Sequence, residues 1–457
     1  MDSIVKQNNK ILYAIDQGVI YLVSLSLSLL EIIMPKKFSS KIILLREHQK
    51  SLYNVFVLMI LNAFGGILLL LTQVKIANVL GASLFGLYSY YLALGEVGAM
   101  VVRYGRNKTM LRDLVQLPEK RTSLITNTFF LGLFNLFLFL LIIISFHTPL
   151  DFTINITSLL LVISPCLVSL DFQPVYESLR MMSWHSIYNL LQKLFFLVFI
   201  WIFILSTRHL SLDILALILF FSWILVLFGQ IIEIKGTLDT NWIHTIHLKS
   251  IKILYKDNFI IALSCFFGIA FGPLIRLILN KCTDSASVGI YAAGLQIYFI
   301  GQFILNQVSR VGNPMMAEVG KNDCPIKKRK DFVRNYLLVM IASTLPFAIP
   351  IVFFPRFVTN LFFSSEYSEL AQYLPIFGMY LVVFALGVVF TQFLISLRKD
   401  KTYFIIYIGG AILTLIVSYI VIPKLGVLGA VLSLCVPHAL SCICYCLFSL
   451  KYLKDVR

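Results

Sequence analysis

The chain has 457 residues, of which 59% are hydrophobic and only 13% charged; a soluble protein of this length carries about a quarter charged residues. That balance excludes an ordinary soluble enzyme. It fits an all-α polytopic membrane protein, whose charges sit in loops and at rare internal sites. The net charge of +16 follows from basic loops on one membrane face. Nucleic-acid binding is not expected, because the Lys and Arg residues lie beside apolar spans and form no separate domain.

In chain order, residues 1–50 read as an N-terminal extension at the cytoplasmic face. Gly18–Met34 is apolar but shorter than the roughly twenty residues a span needs. Gln17, Ser24, Ser28 and Glu31 fall on one stripe at helical spacing, which predicts an amphipathic helix on the inner membrane surface; the rival reading is a thirteenth span with the N-terminus outside.

Twelve spans follow: Tyr53–Val79, Leu84–Val102, Leu124–Phe146, Ile156–Tyr176, His185–Leu205, Leu212–Ile234, Asn258–Leu279, Val288–Gly312, Tyr336–Phe354, Tyr373–Leu397, Tyr403–Ile422 and Gly426–Leu450. Their connections alternate between Lys/Arg-rich and Lys/Arg-poor. The poor ones hold only Arg208, Lys281, Arg356 and Lys424, which places both ends of the twelve-span core in the cytoplasm. The largest inner connection, Met315–Asn335, is predicted to carry a helix along the membrane surface. Pro273 with Gly268 and Gly272 reads as a hinge or unwound site inside the seventh span.

The chain repeats itself. Lys75, the turn Gly81-Ala82-Ser83 and then Phe85-Gly86-Leu87-Tyr88 are echoed by Arg276, a polar turn and Val288-Gly289-Ile290-Tyr291. Aligning Gly86 with Gly289 gives an offset of 203 residues, and the first six spans then map onto the last six. An even number of spans per repeat makes the repeats parallel, the arrangement of transporters that bind substrate between two halves. The expected division is a six-helix bundle over 51–235, a cytoplasmic linker over 236–257 and a second six-helix bundle over 258–457.

Three cations lie inside predicted spans. Lys75 and Arg276 sit at comparable depths, roughly 5–8 Å inside the outer helix ends at 1.5 Å per residue, and Lys193 lies lower in the fifth span. A charge there costs several kcal/mol unless it meets water, a partner or an anionic ligand. Lys75 and Arg276 are therefore expected to face each other across a cationic cleft, with Lys193 and Arg310 contributing further positive charge. Glu96 is expected to form an ion pair with Lys193, or each of the two to face the cavity separately, with Glu96 also the candidate for a proton-coupling site. Gln296, Gln302, Asn306 and Gln307 on the eighth span are candidates for helix–helix contacts or for binding sugar hydroxyls. The eight cysteines show no metal-ligand spacing. There is no GxxxxGK[ST] and no HExxH, so neither a cofactor, a metal nor a catalytic residue is assigned.

Ile76–Leu94, Val101-Val102-Arg103, Ser285–Leu295, Asn306 with Pro314, and Gln392–Gly429 with its Leu397-Arg398-Lys399 and Ile422–Gly429 turns occur in order. In these segments the chain resembles the polysaccharide-transport branch of the multidrug/oligosaccharidyl-lipid/polysaccharide exporter superfamily, the Wzx-type O-antigen flippases. Relatives often carry Arg at the place of Asn78, so the first-span charge is displaced here by about one turn, to Lys75. The resemblance implies two pseudo-symmetric six-helix bundles in a V shape. It implies a non-enzymatic flippase that moves undecaprenyl-pyrophosphate-linked oligosaccharide (O-antigen, capsule or exopolysaccharide units) to the outer leaflet of the bacterial plasma membrane. Lys75 and Arg276 would then meet the pyrophosphate. Such a protein is expected to act as a monomer among membrane lipids, alongside a polysaccharide polymerase or chain-length regulator. The alternatives are a drug or cation exporter of the same superfamily, the lipid II flippase of peptidoglycan synthesis, and a non-transporting scaffold.

Overall fold

A computed structural model describes residues 49–457 except 148–152, 180, 208–209, 237, 239–244, 321–323 and 455–457. The amphipathic helix expected at 18–34 lies outside the described residues. Those described are almost entirely helical. In hydrocarbon a helix satisfies every backbone group within its own segment, and these apolar runs leave the chain no other economical choice. Among the described residues, nine helices are long and apolar enough to cross a membrane, or ten if the bent pair Ser250–Phe259 and Ile261–Phe271 is one span.

The helices are α1 (Gln49–Arg103), α2 (Arg106–Gln116), α3 (Arg121–Ser145), α4 (Ile156–Val168), α5 (Gln173–Ser178), α6 (Met182–Thr207) and α7 (Leu212–Lys235). They continue as α8 (Leu248–Phe267), α9 (Pro273–Cys282), α10 (Ser285–Val319), α11 (Ile326–Phe353), α12 (Pro355–Phe362), α13 (Leu370–Ser396) and α14 (Asp400–Lys454). The 55 residues of α1 would reach about 80 Å at 1.5 Å per residue, far beyond a hydrocarbon core of about 30 Å. The helix breaks at Gly81, where φ is 73°. The equally long α14 breaks at Gly426, with φ 54°. Both are left-handed conformations that favour glycine, and both mark turns expected from the sequence.

Side chains fix several helix starts. The Ser158 N–H donates to the Asn155 side chain at 2.7 Å, and the Ser287 N–H donates to Asp284 at 2.9 Å. These are N-caps that occupy otherwise orphaned N–H groups. Between α4 and α5 the chain unwinds, and the buried Arg106 guanidinium donates to the freed carbonyls of Ser169 and, at 2.7 Å, Asp171. Burial lowers its pKa to about 10, so the group stays charged at neutral pH. The Asp171 carboxylate also meets His185 Nε2 at 3.0 Å.

Packing separates two bundles. In the first, α1 packs on α3, α4 and α6, and α7 packs on α4 and α6; in the second, α13 packs on α10, α11 and α14, and α9 packs on α14. Large apolar side chains such as Phe134, Phe137, Phe228 and Ile405 are exposed, as lipid-facing residues should be. The expected surface helix over Met315–Asn335 is corrected: α10 runs on to Val319 and α11 begins at Ile326, so most of that stretch belongs to the two flanking helices. Arg329, expected to be a loop charge, is buried and donates to Val319 O at 3.1 Å. The hinge is where the sequence placed it. Between α8 and α9 a 3-10 turn, Gly268–Phe271, leads to Gly272 and Pro273. Below this break α8 packs on helices of the first bundle, and beyond it α9 packs on α14 of the second.

Candidate functional site

The two bundles meet along α1 and α10, and the meeting is closest at the repeated glycines. An ideal Cβ on Gly86 would lie 1.6 Å from Ser285 O, and one on Gly289 would lie 2.0 Å from Ala82 O. Each glycine thus admits the backbone of the opposite repeat. The hydrophobe-Gly-hydrophobe-Tyr echo is the line on which the bundles touch, and Tyr88 and Tyr291 are fully buried behind it.

A clasp beside this seam reaches across from the second bundle. Asn78 Nδ2 donates to Phe362 O at 2.8 Å, and the Ser364 N–H donates to Asn78 Oδ1 at 2.9 Å. The Ala82 N–H donates to Glu366 Oε2 at 3.0 Å, and Tyr367 Oη donates to Ala77 O at 3.1 Å. The residue that departs from the family's usual Arg is therefore a bidentate tie between the bundles. Sequence reasoning missed the segment Phe362–Tyr367. Its only advance signal was a carboxylate, Glu366, in a connection poor in basic residues.

Further along the interface, Arg276 of α9 pairs with Glu96 of α1. Its Nη1 lies 3.4 Å from both the carbonyl and the hydroxyl of Ser89. The Arg276 side chain is 12% exposed and that of Glu96 41%, so the carboxylate forms the open side of the pair. The buried Nε of Arg276 has no hydrogen-bond partner among the described residues.

The expectation that Glu96 pairs with Lys193 is corrected. Glu96 turns toward the second bundle, and Lys193 packs inside the first, where a Cβ on Gly65 would lie 3.0 Å from its Nζ. Nor do Lys75 and Arg276 share a partner. The Lys75 ammonium sits 5.2 Å from the ring centre of Trp201, a cation–π contact within the first bundle. On α10, Asn306 and Arg310 are exposed while Gln296, Gln302 and Gln307 are half-buried; Gln307 Oε1 is buried without a partner among the described residues. At the end of α10 remote from the seam, a cavity of about 590 Å³ is lined by Asn313, Gln392, Ser396 and Arg398 among others. Polar side chains exposed on a membrane helix imply water beside it.

Residues 51–319 match the family described as polysaccharide biosynthesis protein. The chain belongs to that family. The match covers the first bundle, the hinge and α10, and so includes both sides of the seam and of the Glu96–Arg276 pair. A capsular polysaccharide biosynthesis protein, CapF of Staphylococcus aureus, is 25% identical over 277 residues, which span 60% of this chain and 67% of that protein. Among solved structures, the lipid II flippase MurJ in an inward closed conformation superposes with a TM-score of 0.69 at 16% identity, covering 87% of each chain. An inward-facing multidrug resistance transporter of the MATE family gives 0.65 at 13% identity, covering 88% of this chain and 98% of that one. At such identities the likeness establishes the fold, which is that of the MurJ and MATE transporters of the MOP superfamily. This polysaccharide biosynthesis protein is accordingly built on the fold of membrane transporters, with helices long and apolar enough to cross a bilayer.

Proposed function

We propose that the chain flips undecaprenyl-pyrophosphate-linked oligosaccharide from the inner to the outer leaflet of the bacterial plasma membrane by alternating access. The observation that carries this reading is Arg276, a nearly covered cation set between the two bundles with one strong anionic partner. A guanidinium matches phosphate oxygens in a bidentate way. Lys75, Lys193 and Arg310 would add positive potential along the path, and Gln296, Gln302, Asn306 and Gln307 would offer amides to sugar hydroxyls. Twelve spans remain the reading from the sequence: it takes the bent pair as one span and each of the two long broken helices as two. If the Lys/Arg-poor connections face outward, as the positive-inside rule has it, the seam and its clasp close the outer side. A gradient of ions or of membrane potential, at about 2.3 kcal/mol per charge per 100 mV, would drive the cycle. A drug or cation exporter is the weaker reading, because the carboxylate it would need, Glu96, is already neutralised by Arg276. The seam and the interbundle ion pair likewise give no support to a static scaffold.

The test is mass spectrometry of lipid-linked sugars, with an assay of the leaflet that holds them, in a deletion strain carrying either the wild-type chain or Arg276→Ala. Undecaprenyl-linked oligosaccharide should build up on the cytoplasmic side in the deletion and with Arg276→Ala. If the deletion strain accumulates none, the substrate assignment is wrong.

A further inference from the structure

We propose that Glu96 holds the place of the ligand's phosphate on Arg276, and that it makes the site selective for a diphosphate over the singly charged phospholipids of the surrounding bilayer. The inference rests on the reading of this chain as a transporter of diphosphate-linked lipids.

The argument starts from the unequal setting of the two charges. The Arg276 side chain is 12% exposed and that of Glu96 41%. An arginine so covered needs an anion against it, because an uncompensated buried charge costs several kcal/mol. Its other contacts are weak. Both Ser89 oxygens lie at 3.4 Å, the long limit for a hydrogen bond, and Nε is unpartnered among the described residues. Glu96 is thus its one strong partner.

A ligand can approach only from the open side, which Glu96 occupies. A carboxylate and a phosphate present similar paired oxygens to a guanidinium, so the exchange is one anion for another at the same atoms. The displaced carboxylate, already partly solvated, can hydrate, and Arg276 remains neutralised throughout. An incoming singly charged phosphate offers about the charge that Glu96 already supplies and gains little. A diphosphate brings more charge and more acceptor oxygens. The internal carboxylate therefore raises the threshold for binding. Because Glu96 belongs to the first bundle and Arg276 to the second, the same exchange also unties a charged link between the bundles when, and only when, the correct ligand arrives.

The experiment uses the full-length protein in nanodiscs and measures binding of undecaprenyl diphosphate, inorganic pyrophosphate and phosphatidylglycerol by native mass spectrometry. Wild type should bind the diphosphates and discriminate against phosphatidylglycerol. Glu96→Gln should tighten both diphosphates about tenfold (about 1.4 kcal/mol) and gain phosphatidylglycerol, so that discrimination falls. Glu96→Asp keeps the charge on a shorter stem and should retain discrimination, which guards against a change of packing at the glutamine. Arg276→Ala should abolish the gain in the double variant. Unchanged or weaker diphosphate binding in Glu96→Gln would overturn the exchange even if wild type binds undecaprenyl diphosphate, leaving the substrate reading intact. A Glu96-dependent gain for inorganic pyrophosphate, with no binding of undecaprenyl diphosphate by either form, would support the exchange and sink the substrate reading instead.

Discussion

Replacing Gly86 by Ala tests whether bare backbone holds the two bundles together. The added Cβ would lie 1.6 Å from Ser285 O, 2.7 Å from Ser285 C and 2.8 Å from Gly289 N. All three are backbone atoms, so no side chain can swing aside. A carbon and a carbonyl oxygen come to rest at about 3.3–3.6 Å, which requires the helices to part by roughly 1.7–2 Å. The clasp cannot follow. Its four hydrogen bonds, at 2.8, 2.9, 3.0 and 3.1 Å, would be stretched past hydrogen-bonding range. At about 0.5–1.5 kcal/mol each, their loss shifts the balance between closed and separated bundles by roughly 2–6 kcal/mol. Nitroxide labels at Ser83→Cys and Lys424→Cys, both exposed sites at this end, report the separation by electron–electron resonance once native cysteines are replaced. Gly86→Ala should lengthen the distance while helical content and melting behaviour are kept, and Gly289→Ala should do the same from the other side. An unchanged distance distribution in both variants would refute the reasoning.

Asn78→Ala removes two of the clasp bonds and should lengthen the same label distance in part of the population, without a steric push; the resonance experiment compares it directly with Gly86→Ala. Arg106→Ala strips the carbonyls of Ser169 and Asp171 of their donor and leaves Asp171 partly unpaired, so a loss of about 3 kcal/mol or more is expected, read by thermal melting of the purified protein. Asp284→Ala removes the N-cap of α10 and should cost about 1 kcal/mol. The Ser287 side chain and N–H hold the Asp284 carboxyl below its ordinary pKa. A depressed carboxyl stabilises the fold above its unfolded pKa and loses that contribution as pH falls through the folded one. The difference in melting temperature between wild type and Asp284→Ala should therefore shrink as the buffer is taken below about pH 4.

Features written in local chemistry were readable from the chain. Gly268, Gly272 and Pro273 announced a break that the structure shows; the turn at Gly81 followed from small residues between apolar runs, and that at Gly426 from the Pro423-Lys424 interruption before it. The repeat around Gly86 and Gly289 was also legible, but its meaning was read through its cations, and the structure gives the shared glycines the more direct role. Pairings between distant segments were not legible. Glu96 and Arg276 are 180 positions apart, and Asn78 and Ser364 are 286 apart. Helical periodicity says which face a residue occupies and roughly how deep it lies; it does not say how one bundle is rotated against the other. Nor does it say how neighbouring helices of one bundle are turned about their own axes, which leaves Glu96 away from Lys193 and brings Lys75 over Trp201. The surface helix over Met315–Asn335 failed for a related reason. Basic residues at a helix end can snorkel or cap, so a charge run does not mark where a membrane helix stops.

The reciprocal approach at Gly86 and Gly289 has a consequence for how this sequence can drift. Each position is kept small by the main chain of the other repeat, not by a side chain that could shrink to compensate. A larger residue on either side finds no remedy by substitution across the contact, since a backbone carbonyl is the same whatever residue bears it. The two halves can lose every other trace of likeness and still be bound to share this one letter.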